Sequence, residues 1–322
     1  MSPRRRGAFP LAFAVALAAL IVAPHVLGTF QRVLLTEILI WALFALAFDL
    51  LYGYAGMLSF GQATFFGFGS YAVTLGVLRW GLGLWPALLL GAGVSALVAW
   101  VVGFFAVRIR GHYFVIITVV FSLIFFFWAL NWNWLTGGDD GLSFTVPDLV
   151  LGPWQFSLYD PITNYSFVLA VGLAVFLFAR RLVHSPLGKV FVGIRENEQR
   201  AQLIGYDVER FKLLVFVIAG AVSGLAGALY SVTFRYANAR LMHWTVSGDA
   251  VVWTLVGGAG SLVGPVLGTG LLVVFTDYVS AWMEDYKIII GAVIVLVAIV
   301  APEGIVGLIR ERWVAGRGRA GG

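Results

Sequence analysis

SPLGKVFVGIRENEQRAQLIGYDVERFK, residues 185–212, is a polar, charge-rich stretch in a chain that is otherwise close to continuous apolar helix. Ser185-Pro186 sets a hydroxyl N-cap before a proline at the first helical position. Leu187, Val190, Phe191 and Ile194 then recur at helical spacing and share one face. Ala201 and Ile204 continue the segment, and Gly205 is a good stop. The spacing predicts one surface helix from Ser185 to Gly205, with Arg195, Glu196, Glu198 and Arg200 as a charged rim. Two readings stand for it: its apolar face docks on a partner, or it rests on lipid headgroups.

The apolar runs on either side decide the class. Of 322 residues, 61% are hydrophobic and 11% charged, and the mean hydropathy is +0.94. A soluble domain carries about 25% charged residues, so most of this chain belongs in lipid. With no cysteine, disulfides and thiolate metal sites are excluded. His25, His112, His184 and His243 lack paired ligand spacing, so no metal or other cofactor is expected. The net charge of +5 reflects Lys and Arg on cytoplasmic loops rather than a nucleic-acid partner.

Upstream, Arg4, Arg5 and Arg6 precede an apolar run over Ala8–Leu27, read as a retained first span. The second span, Val33–Tyr52, carries Glu37 and Asp49 near its two ends, where both are expected at the interface. The third, Leu58–Leu78, contains Ser59, Gly61, Gln62, Phe65 and Gly67. That mixture of small and polar residues marks either a transport route or tight helix packing. Trp85–Val107 and Tyr113–Leu130 follow, then a long loop over 131–163 with the turn-forming TGGDDG, which lacks the ligand spacing of a calcium loop. The sixth span is Tyr165–Ala179 and the seventh Leu213–Thr233, whose Gly220, Gly224 and Gly227 suit helix contact. Asp249–Val256 is too short to cross comfortably and runs into Gly257, Gly258 and Gly260, so a broken eighth helix is expected. Val263–Trp282, Ile288–Val300 and a basic tail over 303–322 finish the chain.

The fold class that results is an all-α integral membrane protein of about ten crossings, some short or broken, with the polar loop at 182–212 between the sixth and seventh. Sixteen of twenty-one basic residues fall on one side when both termini are cytoplasmic, and nine crossings would put the basic tail on the wrong side. No G-x-x-x-x-G-K-[ST], H-E-x-x-H or G-x-S-x-G motif occurs, so the chain holds no P-loop and no recognisable hydrolase site. It reads as a passage without an engine: a subunit driven by others, or a self-sufficient secondary carrier. The polar island favours the first.

The stretch from Ser185 through Tyr230 resembles the coupling loop and following span of branched-chain amino acid ABC importer permeases of the LivM type. GMLSFGQATFFGFGSYA (Gly56–Ala72), TGGDDGLS (Thr136–Ser143) and VGGAGSLVGPVLGTG (Val256–Gly270) agree in the same order. The resemblance implies a single permease domain over 1–322, with 131–163 periplasmic and 182–212 and 303–322 cytoplasmic, in a bacterial inner membrane. It implies a heterodimer with a LivH-like permease, two LivG/LivF-like ATPases and a periplasmic solute-binding protein. ATPase coupling would fall to Leu187, Val190, Phe191, Ile194, Arg195, Glu196 and Glu198. The passage would fall to Ser59, Gly61, Gln62, Phe65, Gly67, Gly257, Gly258 and Gly260. Leu, Ile and Val are the expected solutes; urea, amides or another small solute are the alternative within the family.

Overall fold

The computed structural model describes residues 5–282 except Arg110, together with 288, 289, 291, 292, 295, 299 and 304–308. The described residues form an α-helical protein with two small β-ribbons. Helix α1 spans Arg5–Val26 and α2 Thr29–Asp49, prolonged by one π-helical turn over Leu50–Tyr54. A non-helical segment with Gly56 at φ 72° leads into α3, Gln62–Trp80, and then α4, Leu84–Ala106. Helix α5 (His112–Asn131) and a single turn α6 (Asn133–Thr136) precede β1 (Leu142–Ser143) and the hairpin β2 (Leu149–Leu151) with β3 (Trp154–Phe156). Then come α7 (Pro161–His184), α8 (Pro186–Glu196), α9 (Glu198–Leu203) and α10 (Val208–Phe234). β4 (Tyr236–Ala237) pairs antiparallel with β1, and a 3₁₀ turn (Ala239–Met242) leads to α11 (Trp244–Gly257) and α12 (Val263–Ser280).

Among the described residues, six helical stretches are long and apolar enough to cross a membrane: Thr29–Tyr54, Leu84–Ala106, His112–Asn131, Pro161–His184, Val208–Phe234 and Val263–Ser280. Their apolar stretches are buried to very different degrees, 67% for α2 and 61% for α10 against 22% for α5. α2 and α10 are therefore the central pillars, and the others offer wide faces to lipid or to partner chains. Small residues make the closest contacts. Gly69 of α3 lies against the Gly224 backbone, and Gly227 of α10 against the Phe66 backbone, where a Cβ would overlap main-chain atoms. Ser95 of α4 donates to the Phe65 carbonyl at 2.8 Å, and the Phe65 ring meets Phe216 edge-on at 5.4 Å.

Several bounds differ from the sequence expectation for physical reasons. The third helix begins at Gln62, because Phe60 and Gly61 give their amides to side chains instead of a helical ladder. The eighth is longer than expected, since His243 caps α11 through Thr245, and it stops at Gly258, whose φ of 111° suits only glycine. The expected span Ile288–Val300 is helical at its described positions and otherwise lies outside the described residues. The same holds for Arg4, Arg110, Lys287 and the tail beyond residue 308.

Candidate functional site

The polar island is two helices rather than one. Ser185 Oγ accepts from the Gly188 amide at 3.4 Å and Pro186 opens α8, as the sequence predicts. Asn197, at φ −159° and ψ 100°, breaks the run and caps α9 by accepting the Arg200 amide at 2.8 Å. Glu198 at the start of α9 pairs with Lys212 Nζ of α10 at 2.6 Å, and Lys212 is buried. Glu198 thus fastens the helix pair to the bundle rather than standing on a free rim.

The apolar face of α8 points into its own chain. Phe191 is 2% exposed and joins the main core; Ile194 is 4% exposed and clusters with Ala201 and Val208. The expectation that Phe191 and Ile194 present themselves to a partner is corrected here. Gly188 sits directly on the Val183 carbonyl, so α8 folds back tightly on the end of α7 and spends its hydrophobic face on the bundle. Val190 is half-buried beside the Ile194 cluster. What remains outside is Leu187 at the start, and Leu203, Ile204 and Tyr206 at the end of α9; Leu203 is 88% exposed and Ile204 70%. Between the two helices runs a groove of about 320 Å³, lined among others by Lys189, Gly193, Glu196, Asn197, Arg200 and Ile204. Leu203 and Tyr206 are not among the residues expected to couple, although large side chains on either side of the terminating Gly205 are the signal that marks them.

The residues expected along a passage fall at two places. Ser59 Oγ accepts the Gly61 amide at 3.2 Å, Thr118 of α5 accepts that of Phe60 at 3.1 Å, and Ser247 of α11 accepts that of Ala63 at 2.8 Å. Gln62 Oε1 accepts from Ser223 of α10 at 2.9 Å, while its buried Nε2 meets no partner among the described residues. Phe65 is fully buried, and Gly67 abuts Met242. The start of α3 is thus held from three other helices, α5 at Phe60, α11 at Ala63 and α10 at Gln62.

The second place is the break between α11 and α12. Gly257, Gly258 and Gly260 turn the chain sharply, with Gly257 pressed on the Gly264 carbonyl and Gly260 at φ 76°. Ser261 Oγ donates to the Gly258 carbonyl and accepts the Gly264 amide, both at 2.8 Å. Asp49 is here too. Expected at the membrane interface, it is wholly buried and accepts from the Gly260 amide at 2.6 Å and the Leu262 amide at 3.2 Å. The available signal was a lone acid closing an apolar run, which needs internal donors to be tolerated there. Glu37 is half-buried, and its carboxylate accepts from the Trp41 indole at 3.1 Å. Arg195, expected at a docking rim, sends its guanidinium inward to the Gly53 carbonyl in the π-helical turn.

A family profile described as the permease component of branched-chain amino acid transport systems matches residues 32–298. The high-affinity branched-chain amino acid transport system permease protein LivM of Salmonella typhimurium is 28% identical over 332 residues, covering 96% of this chain and 78% of that relative. LivM of Escherichia coli matches to the same extent. The permease protein LivH of Escherichia coli is 24% identical over 283 residues, covering 83% of this chain and 91% of its own. No solved structure gives a significant match.

Proposed function

The chain belongs to the family of branched-chain amino acid transport permease components, and from that membership we propose that it is one membrane subunit of an ATP-binding cassette importer. It offers the passage for Leu, Ile and Val handed over by an external binding protein. A LivH-like chain completes the permease pair, and separate ATPase subunits hydrolyse ATP. The supporting observation is the α8–α9 pair, a capped helix pair between two spans that leaves Leu203 bare and sets exposed Ile204 and Tyr206 in a groove of mixed polar and apolar lining. A secondary carrier has no need of such a docking piece, whereas a subunit without a P-loop must receive its work from outside.

On this reading the groove takes a helix or loop edge of the ATPase, with Ile204 and Tyr206 of its lining as apolar anchors and the exposed Leu187 and Leu203 outside it. Arg200, Glu196 and Lys189 fix orientation more than affinity. The passage runs by the α3 N-terminus and the α11–α12 break, where helices are interrupted. Ten crossings with both termini cytoplasmic, in a bacterial inner membrane, are supported by the sixteen basic residues that such a topology gathers on one side. The test is reconstitution of the chain with its second permease, ATPases and binding protein in liposomes. Labelled leucine should accumulate only with ATP on the ATPase side. Accumulation driven by an ion gradient without ATP would refute the reading.

A further inference from the structure

Three elements converge on one buried carboxylate. Asp49 ends α2, and its two oxygens hold the Gly260 and Leu262 amides at 2.6 and 3.2 Å, next to the first turn of α12. Leu262 stands at φ 58° and ψ −40°, a conformation a non-glycine residue adopts under strain, and its buried side chain prevents a local escape. One turn beyond Asp49, Gly53 has no room for a Cβ, which would overlap Asp49 Oδ1 and the Gly260 nitrogen. The Gly53 carbonyl accepts from Arg195, which lies in the last turn of α8. Beside this junction lies a cavity of about 460 Å³ whose lining includes Tyr52, Arg195, Leu255 and Ala259.

We propose that Asp49 is a positioning residue that latches the α11–α12 break, and that Arg195 makes the latch answer to the position of α8. Strain at Leu262 favours release. The carboxylate favours closure through two charge-assisted bonds and the positive end of α12, with the Arg195 guanidinium close by. The strain offsets part of that closure, so that a displacement of the junction can tip it. The π-helical turn supplies the displacement: moving α8 pulls Gly53, and Gly53 is wedged between Asp49 and Gly260. The inference rests on the reading of α8–α9 as the ATPase docking piece.

The chain has no cysteine, so an Ala259→Cys reporter reads the junction by its rate of labelling with a small thiol reagent. In the assembled importer the reporter is expected to label faster on ATP binding. Adding Asp49→Asn should raise the ATP-free rate by about tenfold, the scale of losing one charge-assisted hydrogen bond, and abolish the ATP response. Leucine uptake should fall by a similar factor while basal ATP hydrolysis persists. Arg195→Ala should keep the slow ATP-free rate but lose the ATP response, and Arg195→Lys, which still donates to a carbonyl, should restore part of it. Reference labelling in Asp49→Asn, or an intact ATP response in Arg195→Ala, would overturn the latch. Because Arg195 reaches the junction from the surface, its variants decide the matter even if Asp49→Asn fails to insert. If the unsubstituted importer takes up no leucine, the functional reading fails; labelling of Asp49→Asn in the chain alone still decides the latch.

Discussion

Phe191 and Leu203 lie on the same short helix pair and make opposite use of their side chains. Phe191 is core, so Phe191→Ala should cost about 3–5 kcal/mol and lower the melting temperature of the purified chain. Leu203 touches almost nothing in its own chain, so Leu203→Asp should leave the melt unchanged. It should weaken ATPase co-purification by about tenfold or more, since burying a leucine is worth about 1.5–3 kcal/mol and 1.4 kcal/mol is a factor of ten. An unchanged pull-down with Leu203→Asp, or an unchanged melt with Phe191→Ala, would reverse the assignment of inner and outer faces. The sequence states that both residues are apolar; it does not state which is already satisfied at home. Periodicity marks the face of a helix that seeks burial, and α8 finds that burial against its own bundle through the close approach at Gly188.

At the scale of elements, Asn197 divides what the sequence reads as one helix. Its side chain replaces the missing turn of ladder by accepting the Arg200 amide. Asn197→Ala should cost about 0.5–2 kcal/mol locally and let α9 fray. Amide hydrogen exchange at Ala201–Leu203 should accelerate while exchange in α8 stays slow; equal protection in both would mean that α9 is held by packing and by the Glu198–Lys212 pair alone. Much of the element order was legible: the spans from α2 to α10 fall within a turn or two of the apolar runs. The helix breaks were legible only as a tendency. Glycine at 257, 258 and 260 foretells interruption, but the capping of α3 by Thr118 and Ser247 depends on partners far along the chain, which no local pattern contains. Asp49 is the clearest case, because its meaning lies in amides that are remote in sequence.

The whole molecule is organised around α2, α3 and α10, with less buried helices set about them and one polar helix pair at α8–α9. The proposed topology puts 131–163 and α8–α9 on opposite sides of the membrane. Single cysteines at Ser143 and Gln199, both at exposed positions of a cysteine-free chain, should react with an impermeant reagent from opposite faces. Reaction of both from outside whole cells would mean that α7, the one long apolar helix between them, does not carry the chain across, and would overturn the topology. The contact between Asp49 and the α11–α12 break bears on time as well as space. Its two backbone donors lie 211 and 213 residues downstream. At about 5–20 residues per second, the ribosome delivers them roughly 10–40 s after Asp49 itself. During that interval the aspartate has neither donor, which implies that the Asp49 end of α2 takes its final place only after most of the protein has been made.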